Sequence, residues 1–240
     1  MNLKNNYLWF GLLLFILLSS CVKKGCTDPT ALNYNSEAKK NNGTCIYEPG
    51  IKLIGADTVC VPLKGSYTDE GASAIDTDGT KPMLTVDNQV NTAKKGNYQV
   101  RYSAELQSGV VEVTRKVIVA IDRSNWVGTW KTKNDCGQIF WPDSMVTFVI
   151  GDQEGLIKTT DMFDIHSPNQ PIRLAVHGEY IILPKQFTYA VGLWTTRLSA
   201  EGEMNEEANS FKIKFSYQNL VGNSAFGIPG TCILKYEKVE

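Results

Sequence analysis

The sequence predicts an all-β protein, with a β-sandwich at residues 50–122 followed by a small up-and-down β-barrel at residues 124–240. In the first region, short runs of β-branched and aromatic residues alternate with turn-forming clusters at the spacing expected of a sandwich. The second region carries roughly eight or nine short strand signals joined by hairpin-length connections, which favours an up-and-down barrel. Six cysteines behind an apolar leader indicate an exported chain, in which disulfides persist.

The leader occupies residues 1–20 and is predicted to be a signal peptide. Lys4 precedes an apolar run from Leu8 to Leu18. This run is well short of the roughly twenty apolar residues that a transmembrane helix needs. Residues 1–20 are therefore left out of the fold prediction.

Cys21 ends the run Leu18-Ser19-Ser20-Cys21, which resembles the lipobox of bacterial lipoprotein precursors. The resemblance implies cleavage before Cys21, acylation of its sulfur and stable tethering to a membrane through two or three acyl chains. The expected location is the cell envelope, at the outer membrane of a Gram-negative bacterium, facing either outward or inward. The alternative is a generic secretory leader with an accidental cysteine.

Charge argues against nucleic-acid binding. The chain has 24 basic and 25 acidic residues, and removal of the leader takes away one basic residue, Lys4. A near-neutral chain without a basic patch lacks the electrostatic footprint of a nucleic-acid-binding protein.

If Cys21 carries lipid, an odd number of cysteines remains, and they cannot all pair within one chain. Cys26 and Cys45 bracket a short polar segment, while Cys136 and Cys232 bracket most of the C-terminal region. Each pair is predicted to form a disulfide. Cys60 lies in a strand-like run and is predicted to be a buried free thiol that is alkylated only after unfolding. The alternative is an intermolecular disulfide.

Residues 21–49 form a lipidated tether and a Cys-bracketed mini-module. The segment from Gly25-Cys26-Thr27-Asp28-Pro29 to Thr44-Cys45-Ile46-Tyr47 resembles a short repeat common in surface and secreted proteins of Bacteroidetes-type bacteria. A disulfide closing such a loop contributes about 3 kcal/mol, which lets so small a module stay folded.

Asp28, Asn41 and Asn42 of this mini-module allow two interpretations. Calcium prefers several oxygen ligands, of which charged ones are best. Asx-type turns before a glycine need the same residue types. The turns are favoured.

The sandwich strands predicted from the sequence are 51–54, 58–61, 84–86, 98–102 and 111–119. In the last of these, Val111, Val113, Val117 and Val119 alternate with polar residues, the period of a half-buried strand. Residues 67–79 are rich in loop formers and are predicted to be a loop.

The motif from Tyr67 to Gly79, followed by Gly96-x-Tyr98-x-Val100-x-Tyr102-x-Ala104 and Arg115-x-Val117-x-Val119, resembles the Ig-like module of bacterial surface proteins. Leu106 and Val110 depart from its usual pattern. The resemblance implies a spacer or stalk without chemistry of its own. Asp69, Asp76 and Asp78 are predicted to cap turns, with a metal site as the alternative.

The barrel strands predicted from the sequence are 145–150, 155–159, 172–176, 180–184, 187–191, 197–204, 211–217 and 231–236, after a first strand near Trp130. Phe211, Ile213, Phe215 and Tyr217 alternate with polar residues, as the two faces of a barrel strand require. A Cys136–Cys232 disulfide would join the first strand to the last and contribute about 4 to 5 kcal/mol.

The step Gly128-Thr129-Trp130 resembles the opening strand of lipocalin-like proteins, and the region resembles the C-terminal modules of Bacteroidetes lipoproteins. Small barrels either hold one apolar ligand or are filled by their own side chains. The filled barrel is favoured.

No catalytic residues, metal site or cofactor are predicted, so the protein is not expected to be an enzyme. His166 and His177 do not have metal-ligand spacing, and no nucleophile elbow is present. Glu201, Glu203, Glu206 and Glu207 are expected to be a solvated hairpin.

Two functions remain. The first is an envelope protein whose barrel binds a glycan, a protein or a small apolar ligand. Trp141 and Trp194 are the candidate contacts, because both lie near turns and flat rings offer contact area at low entropic cost. The second is a structural or adhesive surface component with a filled barrel.

We predict that Cys21→Ser blocks lipidation, because the thiol of Cys21 is the acceptor of the lipid. The variant should remain unprocessed or become soluble in a detergent phase-partition experiment. A variant that still enters the detergent phase like the wild type would refute the lipobox.

Overall fold

The computed structural model describes residues 22–134, 144–160, 171–189, 194–221 and 224–239. They form two compact units. The first contains residues 22–55, 70–87 and 101–114, and the second contains residues 56–69, 88–100 and 115–239. The domain boundaries expected from the sequence, at residues 50, 122 and 124, stay predictions.

The mini-module lies in the first unit and contains two very short strands, β1 (Lys24–Gly25) and β2 (Lys40–Asn41), which pair in parallel. A disulfide joins Cys26 to Cys45, as predicted. The sulfur of Cys26 and the side chain of Ala31 are buried. So few buried side chains cannot hold a fold by themselves, which is why the disulfide matters here.

The sandwich region contains six strands. These are β3 (Gly50–Leu53), β4 (Thr58–Pro62), β5 (Ala72–Ile75), β6 (Thr85–Asn88), β7 (Gly96–Leu106) and β8 (Gly109–Ala120). One sheet has the order β4-β8-β7-β6, with β4 parallel to β8, and β3 pairs antiparallel with β5 in the other. The prediction of a loop over residues 67–79 is wrong at β5, because Ala72–Ile75 gain a ladder partner that the local sequence does not show.

The alternation predicted for β8 is confirmed in its buried half, where Val117 and Val119 are buried between exposed or half-buried neighbours. Arg115 lies on the same inward face and is only 1% exposed. Its guanidinium forms an ion pair with Asp69 and donates from Nε to the carbonyl oxygen of Ala56 over 2.9 Å. Asp69 also accepts from the hydroxyl of Tyr67. The inward charge is therefore fully paired, as burial requires.

A short helix, α1 (Arg123–Trp126), precedes the barrel and begins with a capping box formed by Asp122 and Asn125. The barrel strands are β9 (Gly128–Asn134), β10 (Met145–Ile150), β11 (Leu156–Thr159), β12 (Ile172–His177), β13 (Tyr180–Tyr189), β14 (Trp194–Met204), β15 (Ser210–Val221) and β16 (Ser224–Lys238). Each pairs antiparallel with its neighbours in the chain, and β16 pairs with β9 to close the barrel. The predicted up-and-down barrel is confirmed.

The barrel interior follows the predicted alternation. Phe211, Ile213 and Phe215 are buried, while the intervening Lys212 and Lys214 are exposed. The two strands predicted at residues 180–184 and 187–191 are one strand, β13, with a register irregularity between Leu183 and Gln186. Pro184 lies inside this irregularity, because proline has no N–H for the ladder and is tolerated where pairing is interrupted.

Cys60 corrects one prediction. Among the described cysteines it is the free thiol, but its side chain is exposed rather than buried. The reason is the register of β4, which turns Val61 into the core and Cys60 to the opposite side. Cys232 is disulfide-bonded. Its expected partner Cys136 lies outside the described residues, so the pairing Cys136–Cys232 stays a prediction.

Within the described ranges, no helix is long and apolar enough to cross a membrane.

We predict that Cys60 reacts with iodoacetamide in the folded, unreduced protein, because its thiol is accessible to solvent. Peptide mapping should find the alkyl group on Cys60 alone and unmodified disulfides elsewhere. Alkylation that requires denaturant, or a peptide disulfide-linked through Cys60, would contradict the exposed free thiol.

Candidate ligand-binding site

Because neighbouring strands are antiparallel, alternate strands finish at opposite ends of the barrel. Strands β9, β11, β13 and β15 all finish at the same end, at Asn134, Thr159, Tyr189 and Val221. We call it the far end. The connections at the opposite end contain residues 151–155, 178–179 and 205–209, and helix α1 leads into the barrel there. We call it the capped end.

Of the two tryptophans predicted as ligand contacts, Trp194 has its backbone at the far end. Trp194 is the first residue of β14 and pairs with Val221 at the last position of β15. Its side chain is not among those described. Trp141 lies outside the described residues, in the connection between β9 and β10, and both flanking strand ends are at the far end. His166 also lies outside the described residues, in the connection between β11 and β12 at this end.

The capped end is filled by aromatic side chains. Trp126 of α1 and Trp130 of β9 are fully buried, as are Phe148 and Tyr236, and Phe211 is nearly so. Phe211 lies at the centre of this aromatic cluster: it stacks on Tyr236 at 4.3 Å between ring centroids and meets Trp130 edge-on at 4.7 Å. Such pairs contribute about 0.5 to 1.5 kcal/mol each beyond their burial.

Hydrogen bonds of the two indoles hold α1 against the barrel. Nε1 of Trp130 donates to the carbonyl oxygen of Trp126, and Nε1 of Trp126 donates to that of Gly178, both over 2.9 Å. Asn125 adds a bond from Nδ2 to the carbonyl oxygen of Leu63 at 2.7 Å. These three side-chain donors thus each have a partner, and no ligand can enter the barrel through this end without displacing the cluster.

Tyr236 is the interior polar residue that the sequence prediction missed. Its hydroxyl is fully buried and has no hydrogen-bond partner within the described part of the chain. Burial raises the pKa of this phenol above its ordinary value. The signal was present in the sequence, because Tyr236 shares the inward period of Cys232 and Leu234. The hydroxyl of Tyr236 is therefore a polar group inside the barrel that is available for a hydrogen bond.

Among the described residues, those considered for catalysis are not brought together. His177 ends β12 at the capped end and is exposed, with its backbone paired to Tyr180. Glu201 and Glu203 are exposed and lie opposite Lys214 and Lys212 on β15. Such cross-strand pairs of opposite charge belong to a solvated outer face.

Glu206 and Glu207 are exposed residues of the 205–209 turn, where the carboxylate of Glu207 accepts from Nδ2 of Asn205 at 2.6 Å.

The acidic and amide residues considered for metals are occupied by turns. Oδ1 of Asp28 accepts from the backbone and hydroxyl of Thr30, and Oδ1 of Asn42 does the same for Thr44. The hydroxyl of Tyr47 donates to Asp28 and is the main cause that lowers the pKa of this carboxyl. In the described ranges, no group of three or more His, Cys, Asp or Glu side chains is arranged to hold a metal ion.

Asp76 and Asp78 also cap turns. Oδ2 of Asp76 accepts from the backbone N–H of Gln107 at 2.8 Å, and Asp76 is buried. Oδ1 of Asp78 accepts from the backbone and hydroxyl of Thr80, and these bonds are the main cause that lowers the pKa of Asp78. The contacts of Asp78 agree with the predicted turn cap, whereas Asp69, for which a turn cap was also predicted, pairs with the buried Arg115.

Comparison with known proteins concerns mainly the sandwich. Residues 51–119 match the family described as bacterial surface protein, Ig-like domain. No curated protein matches the chain. The resemblance of the mini-module to the Cys-bracketed repeat has no counterpart among these matches. The Ig-like match fits a location in the cell envelope.

Two solved structures are weakly similar. A lipoprotein from Bacteroides thetaiotaomicron shares 11% identity, with 79% of this chain and 100% of that chain covered and a TM-score of 0.29. The CBM51-2 and INT domains of ZmpB from Clostridium perfringens also share 11%, with 77% and 43% covered and a TM-score of 0.24. Similarity at this level supports no functional assignment.

We predict that Tyr236→Phe does not destabilise the protein and raises its free energy of unfolding by up to about 1 to 3 kcal/mol, because a buried unpaired hydroxyl is removed and the ring stays. In the wild type, the folded state keeps a proton that the unfolded chain gives up above about pH 10, so stability falls as the pH rises further. The variant should lose this dependence. Urea unfolding between pH 7 and 11 measures both effects.

Tyr67→Phe is the matched control. Its hydroxyl donates to Asp69 over 2.8 Å, so its loss should cost about 1 kcal/mol. If Tyr236→Phe costs as much as the control, the hydroxyl has a partner.

Proposed function

We propose that the protein is a lipid-anchored, non-catalytic component of the bacterial cell envelope, whose Ig-like domain is a spacer and whose barrel binds a ligand at its far end. The ligand is a glycan, a protein or a small apolar molecule. The anchor is the lipid on Cys21, in the outer membrane. The predicted signal peptide and lipobox, together with the Ig-like family match of residues 51–119, support the location.

The observation that carries the binding proposal is the common end of the two candidate tryptophans. Trp194 begins β14 at the far end, and Trp141 belongs to a connection that leaves from this end. Under this proposal, two residues 53 positions apart in the chain would contact the ligand at one rim. Aromatic anchors grouped at one place are typical of recognition surfaces.

The filled capped end restricts where a ligand binds. Trp126, Trp130 and Phe211 occupy the interior there, so the ligand contacts the rim or the upper part of the interior at the far end. Binding at the open mouth, with a packed core at the opposite end, is an arrangement that small barrels use.

The same filled interior supports the second candidate, a structural or adhesive surface component without a small ligand. The described inward side chains from Phe148 on β10 to Leu234 on β16 are almost all buried. A barrel filled by its own side chains needs no ligand for stability. The two candidates differ in whether the far end has measurable affinity.

We predict that Trp141→Ala and Trp194→Ala each weaken binding by about tenfold or more, as the loss of an aromatic anchor does. A glycan array and a panel of fluorescent lipids identify the ligand first, and titration of the full chain then gives the affinities. Thermal unfolding should change little if both rings are exposed at the rim.

Tyr180→Ala is the matched control, because Tyr180 is an aromatic residue on the outer face near the capped end and is 53% exposed. It should leave the affinity unchanged. Marked early unfolding of the tryptophan variants, equivalent to about 3 to 5 kcal/mol, would instead identify buried core residues. Absence of binding by the wild type across both panels would favour the structural component.

A further inference from the structure

Two adjoining pockets lie beside the capped end of the barrel, in the second compact unit. The first, of about 560 Å³, is lined by the turn of residues 62–66, by Ser124 and Asn125 of α1, and by Ala208. The second, of about 540 Å³, is lined by Asn209, Ser210 and the end of β16. Lys64 and Lys238 line both pockets. Both lysines therefore border the same space.

Lys238 is held in place by three contacts. Its Nζ donates to the carbonyl oxygen of Asn125 at 3.1 Å and lies 5.1 Å above the centre of the Trp130 ring. Its backbone N–H donates to the carbonyl oxygen of Asn209 at 2.9 Å. The position of this charge is thus fixed before any ligand binds, which lowers the entropic cost of using it.

Lys64 occupies a turn position that normally requires glycine. The N–H of Gly65 donates to the carbonyl oxygen of Pro62, which makes Lys64 the third residue of a four-residue turn. Its φ is +62°, in the left-handed region that is unfavourable for residues with a Cβ. Packing does not explain the lysine, because its side chain is exposed. A strained residue kept at an exposed turn points to a role for the side chain.

The second strained residue lines the same pocket. Ala208 has φ of +51°, and within the described residues Lys64 and Ala208 are the non-glycine positions with positive φ. The 205–209 turn and the 62–66 turn therefore both adopt an unfavourable backbone where they border this pocket.

The charges around the shared space leave an excess of positive charge. Burial, and then repulsion from Lys64, lower the pKa of Lys238. Glu237 lines the second pocket, while the carboxylate of Asp122 is engaged by the N–H and hydroxyl of Ser124. Two cations that repel each other across a solvent-filled pocket are stabilised by an anion placed between them.

We propose that the space between Lys64 and Lys238 is a binding site for the carboxylate or phosphate group of an anionic sugar. The two ammonium groups would contact the anion, and the polar side chains of Ser66, Asn209 and Ser210 at the edges of the pockets suit the hydroxyls of a sugar ring. A volume of about 540 to 560 Å³ for each pocket accommodates a unit of this size. The site lies at the capped end and does not depend on the tryptophans of the far end.

Calorimetric titration of the full chain in detergent tests the proposal with three probes: galacturonic acid, inorganic phosphate and neutral galactose. Binding of either anion, with galactose at least about tenfold weaker, is expected, and the preferred anion distinguishes a carboxylate from a phosphate source. Affinity should fall as the salt concentration rises, because the contacts are ionic.

Lys64→Gly is the most informative variant, because it removes the charge and suits the left-handed backbone. We expect about tenfold weaker anion binding or more, together with a higher melting temperature. Lys238→Met keeps an unbranched chain against Trp130 and should weaken binding to a similar extent. Far-end binding should be unchanged in both variants.

Two control variants separate the site from general effects. Ala208→Gly relieves strain beside the same pocket without changing charge, so it should raise the melting temperature and preserve anion binding. Lys131→Gln removes one lysine from the outer face of β9 and should also preserve it. Anions that bind no better than galactose, or an affinity unchanged in Lys64→Gly and Lys238→Met, would overturn the proposal.

Discussion

Burial of Trp130 is the constraint on which the barrel and its entry helix both depend. The indole fills the capped end against Phe211, donates its N–H to Trp126 and supports the ammonium group of Lys238 on its face. The first barrel strand, the helix before it and the last strand are therefore joined at one side chain. Replacing a fully buried aromatic residue of this kind costs about 3 to 5 kcal/mol. Because the cluster fills one end, the barrel interior is closed at that end.

The same junction explains why the two proposed sites are independent. At the far end, the proposed binding would depend on the aromatic rings of Trp141 and Trp194. Beside the capped end, it would depend on two lysines, one on a strained turn and one fixed against the core by Asn125 and Trp130. The first kind of contact is largely insensitive to salt and the second is not. Measurements at two ionic strengths therefore distinguish them in the unmodified protein.

Most of the fold could be predicted because periodicity reports burial directly. The alternation in Phe211–Ser216 identifies the two faces of a barrel strand, and Val117 and Val119 do so in the sandwich. The two wrong predictions concern residues whose structure depends on a strand partner distant in the chain. Ala72–Ile75 becomes a strand because β3 pairs with it, and Cys60 is exposed because the register of β4 turns Val61 inward. Neither partner nor register is visible in a five-residue window.

By itself the sequence determined the all-β class and the Cys26–Cys45 disulfide, because each depends on local composition or short spacing, whereas the signal peptide and the lipobox at Cys21 stay predictions. Tertiary structure decided what the polar residues do. In the sequence, Arg115 is an ordinary strand residue. In the fold it pairs with Asp69, which lies 46 positions away in the chain. Lys64 and Lys238 lie 174 positions apart in the chain and share a pocket only because the barrel closes and brings β16 next to the turn after β4. Charge interactions depend on distance in space, and sequence separation carries almost no information about that distance.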